Sequence, residues 1–153
     1  MRCRAALGLA LALALTACGS SEPRMPSTCT DTDQAGYQRA LGAVPGAVRL
    51  PGGTPISQCA WRVRSDAELQ TLGTLVHVVA EDLAQRVRAT SDPGAARQLG
   101  YLSGAVAAGA VHSNGIAAEL ARRVAVAAES VRDVSPAVGR ALTQGQDAGQ
   151  ARG

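Results

Sequence analysis

The sequence predicts an all-α fold: a small antiparallel bundle of three long helices plus one or two short N-terminal helices, closed by one disulfide. Three observations point to it. Apolar residues recur at spacings of three and four over two long stretches, as on one face of a helix. Between these stretches lies a run of small and apolar residues, 99–111, with helix punctuation on both sides. Finally, Cys29 and Cys59 form an even pair once the two cysteines of the N-terminal segment are set aside.

In chain order, residues 32–43 place Tyr37, Ala40 and Leu41 on one side of a short helix that must end before Pro45. Asp31 and Asp33 sit at its start, where carboxylates cap free backbone N–H groups. A calcium loop would need several more oxygens at set spacings. Pro45-Gly46 and Pro51-Gly52-Gly53 then punctuate a loop. In residues 55–64, Ile56, Cys59, Ala60 and Val63 fit a helix, whereas Cys59, Trp61 and Val63 also alternate as in a strand. Helix is the reading taken, starting at Thr54-Pro55.

The first long helix opens on Ser65-Asp66-Ala67-Glu68, the form of a capping box. Leu69, Leu72, Val76, Val79, Leu83 and Val87 follow as one stripe over about 25 residues, or about 37 Å. Asp92-Pro93 supplies an N-cap and a first-turn proline for the second helix. That helix is apolar nearly all round, with Gly100 and Gly104 in GxxxG spacing, which suits a buried helix or a membrane one. Its mainly apolar part spans only about thirteen residues, short of the roughly 20 that a membrane crossing needs, so a central buried helix is expected. Ser113-Asn114-Gly115 ends it. Ile116, Leu120, Val124, Ala127, Val131 and Val134 form a second stripe, that of the third long helix, which Pro136 ends or kinks, with one further turn or two expected over 137–142.

The first eighteen residues carry a different signal. Arg2 and Arg4 precede an apolar run, 5–15, and then Leu15-Thr16-Ala17-Cys18. A basic segment, an apolar segment of about eleven residues and small residues before a cut describe a secretory signal peptide. An ordinary signal that happens to end near a cysteine is the alternative. Leu-Thr-Ala-Cys resembles the bacterial lipobox, which implies cleavage between Ala17 and Cys18 and acylation of Cys18 by diacylglyceryl and fatty acyl groups such as palmitate. The absence of lysine and phenylalanine, the abundance of Ala, Gly and Val, and the Cys-Gly-Ser-Ser start resemble small Ala-rich helical lipoproteins of high-GC Gram-positive, actinobacterial genomes, a kind with no assigned activity.

The resulting organisation is a signal peptide over 1–17, a lipidated Cys18 with a flexible tether over 18–28, a helical domain over 29–143 and a disordered tail over 144–153. The tail has no large apolar side chain to bury. Cys3 leaves with the signal and Cys18 carries lipid, so an exported Cys29–Cys59 disulfide is the simplest pairing. Removing Arg2 and Arg4 leaves 13 arginines against 12 acids, a nearly neutral chain without a nucleic-acid footprint.

Chemistry must come from few residues. His77 and Glu81 stand four apart and could offer two metal ligands, which do not complete a site. His112 falls near a helix C-terminus, where the macrodipole favours a cation. Trp61 and Tyr101 are expected in the core. No Gly-x-Ser-x-Gly elbow, phosphate loop or paired-cysteine metal motif occurs. No catalytic, metal or cofactor residue is therefore assigned and no cofactor is expected. The reading is a non-enzymatic, lipid-anchored module on the extracytoplasmic face of the cell membrane, whose partner is an envelope protein or cell-wall component. A small-molecule or lipid binder is the alternative, and a cell-wall enzyme the third class.

Overall fold

The computed structural model describes residues 24–153. Ala17 and Cys18, the expected cleavage and lipidation residues, lie outside the described residues. Within them the regular elements are all helical. Two short helices come first, α1 (Thr28–Asp31) and α2 (Gln34–Leu41), then α3 (Ile56–Trp61). Asp33 caps α2 by accepting the Gly36 N–H at 2.7 Å, while Tyr37 and Leu41 turn fully into the core. The short helices therefore number three rather than one or two. The additional one is α1, a single turn held by the disulfide.

Cys29 of α1 and Cys59 of α3 are bonded, with Cα atoms 5.6 Å apart and a separation of 30 positions in sequence. Closing a loop of this length restrains the unfolded chain by roughly 3.5 kcal/mol in the chain-entropy treatment. Residues 55–64, ambiguous between helix and strand in the sequence, turn out helical over Ile56–Trp61.

The long helix α4 (Asp66–Thr90) starts on a complete capping box. Ser65 Oγ accepts the Glu68 N–H at 3.3 Å, and the Glu68 carboxylate accepts the Ser65 N–H at 3.2 Å. Its stripe buries Leu72, Val76, Val79, Leu83 and Val87 completely or nearly so, with Leu69 half-buried. Each large side chain so buried contributes about 1.5–3 kcal/mol. Next, α5 (Pro93–Ala110) begins with the Asp92 carboxylate accepting the Gly94 N–H at 2.7 Å. It buries every residue from Leu99 through Val106. Among the described residues no helix is long and apolar enough to cross a membrane.

Two expectations fail beyond this point. The stripe from Ile116 to Val134 does not make one long helix: α6 (Ala118–Glu129) stops short and α7 (Pro136–Arg152) starts anew. Pro136 occupies the first turn of α7, where its missing N–H costs nothing, and Ser135 caps that turn by accepting the Val138 N–H at 3.2 Å. Proline here begins a helix instead of ending one. Correspondingly, residues 144–153 are not a disordered tail; they are the second half of α7, helical to Arg152.

The first half of α7 buries Val138 and Leu142, and its second half buries mainly backbone and small side chains. Gly145 and Gly149 have no Cβ, and one placed there would strike the carbonyl oxygens of Arg97 and Tyr101 on α5. Reciprocally, a Cβ on Gly100 or Gly104 would strike the carbonyls of Leu142 and Gln146 on α7. Residues 144–153 hold no large apolar side chain, yet close backbone approach at Gly145 and Gly149 buries this half of α7 without one.

The same contacts give direction. Rising numbers on α5 meet rising numbers on α7, so these two long helices run parallel, not antiparallel. The reason is that α6 intervenes and carries the chain back about 18 Å before α7 begins. The three long helices α4, α5 and α7 pack together, with α3 laid across the end of α5 through Gly109, which faces Ser57 and Ala60.

Candidate functional site

A concavity of about 560 Å³ lies between the first half of α4 and the first half of α6. Its origin is local. The two helices pack together, and Leu72 and Val76 of α4 and Leu120 and Val124 of α6 are all buried. Above that contact, α4 presents Asp66, Gln70, Thr74 and His77, and α6 presents Glu119 and Arg123. Leu69 and Leu120 supply apolar lining. Gly73 supplies depth, because a Cβ built on it would meet no atom within 4 Å. A glycine inside a helix costs about 1 kcal/mol relative to alanine, and no close packing at Gly73 requires it.

The charged wall of the groove is a clamp. Glu119 Oε1 accepts from Arg122 Nη2 and from Arg123 Nε, each at 2.8 Å, and Oε2 accepts from Arg122 Nε at 2.8 Å. Hydrogen bonds from Arg122 first and Arg123 second hold the Glu119 carboxyl at about 2, well below the ordinary 4.5. The same contact raises Arg122 above its ordinary value. All three side chains are exposed. The groove thus offers an apolar floor, hydroxyl and amide groups from Thr74 and Gln70, and a fixed carboxylate flanked by two guanidinium groups.

His77 stands on the rim with Val78, which is 42% exposed, and separates the groove from a shallower depression that reaches Glu81, Asp82 and Arg88. Glu81 is turned toward Arg88 at 3.7 Å. Asp82 pairs with Arg86 at 3.3 Å and accepts from Gln38 Nε2 at 2.8 Å. Among the described residues no three of His, Cys, Asp and Glu group so as to hold a metal ion. His77 and Glu81 thus remain two residues on one helix face.

The remaining singled-out residues fall at the α3 end of the molecule. Tyr101 is fully buried and its hydroxyl accepts the Val48 N–H at 3.1 Å. Trp61 is not in the core as expected; it is 39% exposed at the end of α3. The Arg62 guanidinium lies over its ring at 4.1 Å, and the His112 ring approaches with centroids 5.6 Å apart and a tilt of 58°. His112 therefore packs on an aromatic face in the turn beyond α5. The next residue, Ser113, is fully buried; its hydroxyl donates to Ala110 O at 2.7 Å and accepts the Ala117 N–H at 3.0 Å, which joins α5 to α6.

Sequence reading missed the groove. Its one legible trace is Gly73, an isolated glycine within a strong helical pattern, a type of position that often has a packing or functional cause. Glu119 stands four before Arg123, a spacing that reads from the sequence as a favourable helix pair, but nothing in it shows that Arg122 shares the same carboxylate. No known protein family, curated protein or solved structure matches this chain.

Proposed function

We propose that this chain is a lipid-anchored lipoprotein of the extracytoplasmic membrane face, and that its helical part is a non-enzymatic interaction module of the cell envelope. The observation that carries this reading is Leu15-Thr16-Ala17-Cys18 following an apolar run behind two arginines. The bonded Cys29 and Cys59 support it, because stable disulfides belong to oxidising compartments outside the cytoplasm. One acyl chain anchors marginally and two or three hold stably, so Cys18 is the residue on which retention depends. The partner is an envelope protein or a cell-wall component, and no nucleic acid is involved.

The anchor is tested in cells by metabolic labelling with a fatty acid. Cys18→Ala is expected to abolish labelling and to block cleavage after Ala17, and continued labelling of that variant overturns the reading. The partner is tested by cross-linking in intact cells, comparing the wild type with an exported form that lacks Cys18. Enrichment of one envelope component by the anchored form alone is the expected result.

The groove between α4 and α6 favours a second reading, binding of a small amphipathic molecule. A volume of about 560 Å³ is within the range of small-molecule sites. Gly73→Leu would fill the open space while leaving the buried stripe intact. A compound that raises the melting temperature of the wild type and not of Gly73→Leu would establish this reading.

A further inference from the structure

We infer that the groove between α4 and α6 takes an aliphatic monocarboxylate, its head on the Nη1–Nη2 end of the Arg123 guanidinium and its chain along Leu69, Leu120 and Val78. This names the ligand class of the small-molecule reading and rests on that reading. Arg123 lines the groove and is held from one side, where its Nε donates to Glu119 Oε1 at 2.8 Å. Among the described residues that carboxylate is its ion-pair partner, and the contact uses Nε alone. The Nη1–Nη2 end therefore keeps two parallel N–H donors, a fork that matches the two oxygens of a carboxylate.

The balance of charge on this wall favours an anion. Arg122 meets Glu119 through both Nε and Nη2, so one carboxylate serves two guanidinium groups and one positive charge is left over. The remaining charged side chain of the lining is Asp66, in the first turn of α4. Its like charge disfavours a second anionic group, so the ligand carries a single carboxylate. On the α4 wall the exposed Gln70 amide adds a donor for the head. Thr74 does not, because its hydroxyl proton goes to Gln70 O at 2.9 Å.

The shape of the groove selects a chain. Beyond it, where both helices finish, Arg88 Nη1 donates to Ser130 Oγ at 3.2 Å, so α4 and α6 run in the same direction and their first halves flank the opening. The α4 lining from Leu69 to Val78 extends over about 14 Å. Half-buried Leu69 and exposed Val78 lie along it, and each methylene laid over them leaves water.

The test uses residues 19–153, which contain the whole core and no Cys18, with octanoate, octanol and octylammonium as probes in titration calorimetry. The three share one chain and differ in the head. Octanoate is expected to bind about tenfold more tightly than octanol, with octylammonium weakest. Arg123→Gln, at an exposed position outside the core, is expected to bring octanoate to the affinity of octanol and to leave octanol unchanged. Gly73→Leu is expected to remove all binding. Equal binding of octanoate and octanol overturns the inference, as does tighter binding of octylammonium or octanoate binding that survives Arg123→Gln. In each of those cases loss of binding in Gly73→Leu leaves the small-molecule reading standing. Binding by none of the three probes removes the apolar groove as a site and the inference with it, so the octanol arm tells the two failures apart.

Discussion

Glycine serves opposite purposes in two parts of this molecule. Along the seam between α5 and α7, Gly100, Gly104, Gly145 and Gly149 each face a carbonyl of the other helix, and no side chain would fit. In the groove between α4 and α6, Gly73 faces open space. The first set allows two backbones to touch; the second residue keeps two helices from being bridged by side chains. The same residue type thus marks the tightest and the loosest packing of the fold, and only the neighbouring helix tells them apart.

The comparison is broken most severely at the seam. Gly145→Val should lower unfolding free energy by about 3 kcal/mol or more, because the added atoms meet backbone that cannot yield without parting the helices. Gly100→Ala is milder. Its overpacking cost exceeds the helix-propensity gain of about 1 kcal/mol, and a net loss of about 2 kcal/mol is expected in urea denaturation. Unchanged midpoints for both variants would show that α7 does not rest on α5 in solution.

Legibility in the sequence followed the same division. Elements specified by side chains were readable: the Ser65/Glu68 box, the Leu72 to Val87 stripe, the Asp92-Pro93 start and the Cys29–Cys59 pair all stand where the pattern put them. Elements specified by a missing side chain were not. Residues 144–153 hold only small and polar groups, so hydropathy described them as having nothing to bury, although Arg132 reaches Gln146 and Arg49 donates to Arg152 O to tie α7 down. Parallel packing of α5 and α7 was hidden for a related reason. It depends on α6 ending at Glu129, and Val131 and Val134 continue the apolar period past that point while the helix does not. For the site, the i,i+4 pair of Glu119 and Arg123 was readable and the concavity beside it was not, since depth arises where α4 and α6 diverge.

At Gly73 the expected sign is opposite to that at the seam. Gly73→Ala meets no atom, restricts the unfolded chain and improves helix propensity, and should raise stability by about 0.5–1 kcal/mol. A loss of stability there would mean that the groove closes in solution and that Gly73 is a seam glycine after all. Paired with Gly100→Ala, this variant measures what one methyl group does in each environment.

The smallest effect concerns the clamp on the groove wall, and its physics is electrostatic where that of the seam is steric. Glu119 titrates near 2 instead of 4.5, owing chiefly to its hydrogen bonds with Arg122 and then Arg123. A carboxylate whose folded pKa is depressed adds stability that is fully present above the unfolded value and is lost as pH falls through the folded one. Here that window runs from about 4.5 down to about 2. All three groups are exposed, so solvent screening keeps the contribution to stability small. The site-resolved titration is the informative measurement. Carboxyl carbon NMR should place Glu119 near 2 at low ionic strength. Arg122→Gln should raise that value more than Arg123→Gln, and the double variant should return it to the ordinary carboxylate range. At molar salt, where the Debye length is about 3 Å, the wild-type value should also rise. The destabilisation of Gly145→Val should change little under the same salt, because a clash with a carbonyl is not screened. A Glu119 that titrates at its ordinary value in low salt would remove the clamp and leave the groove wall with two mobile arginines.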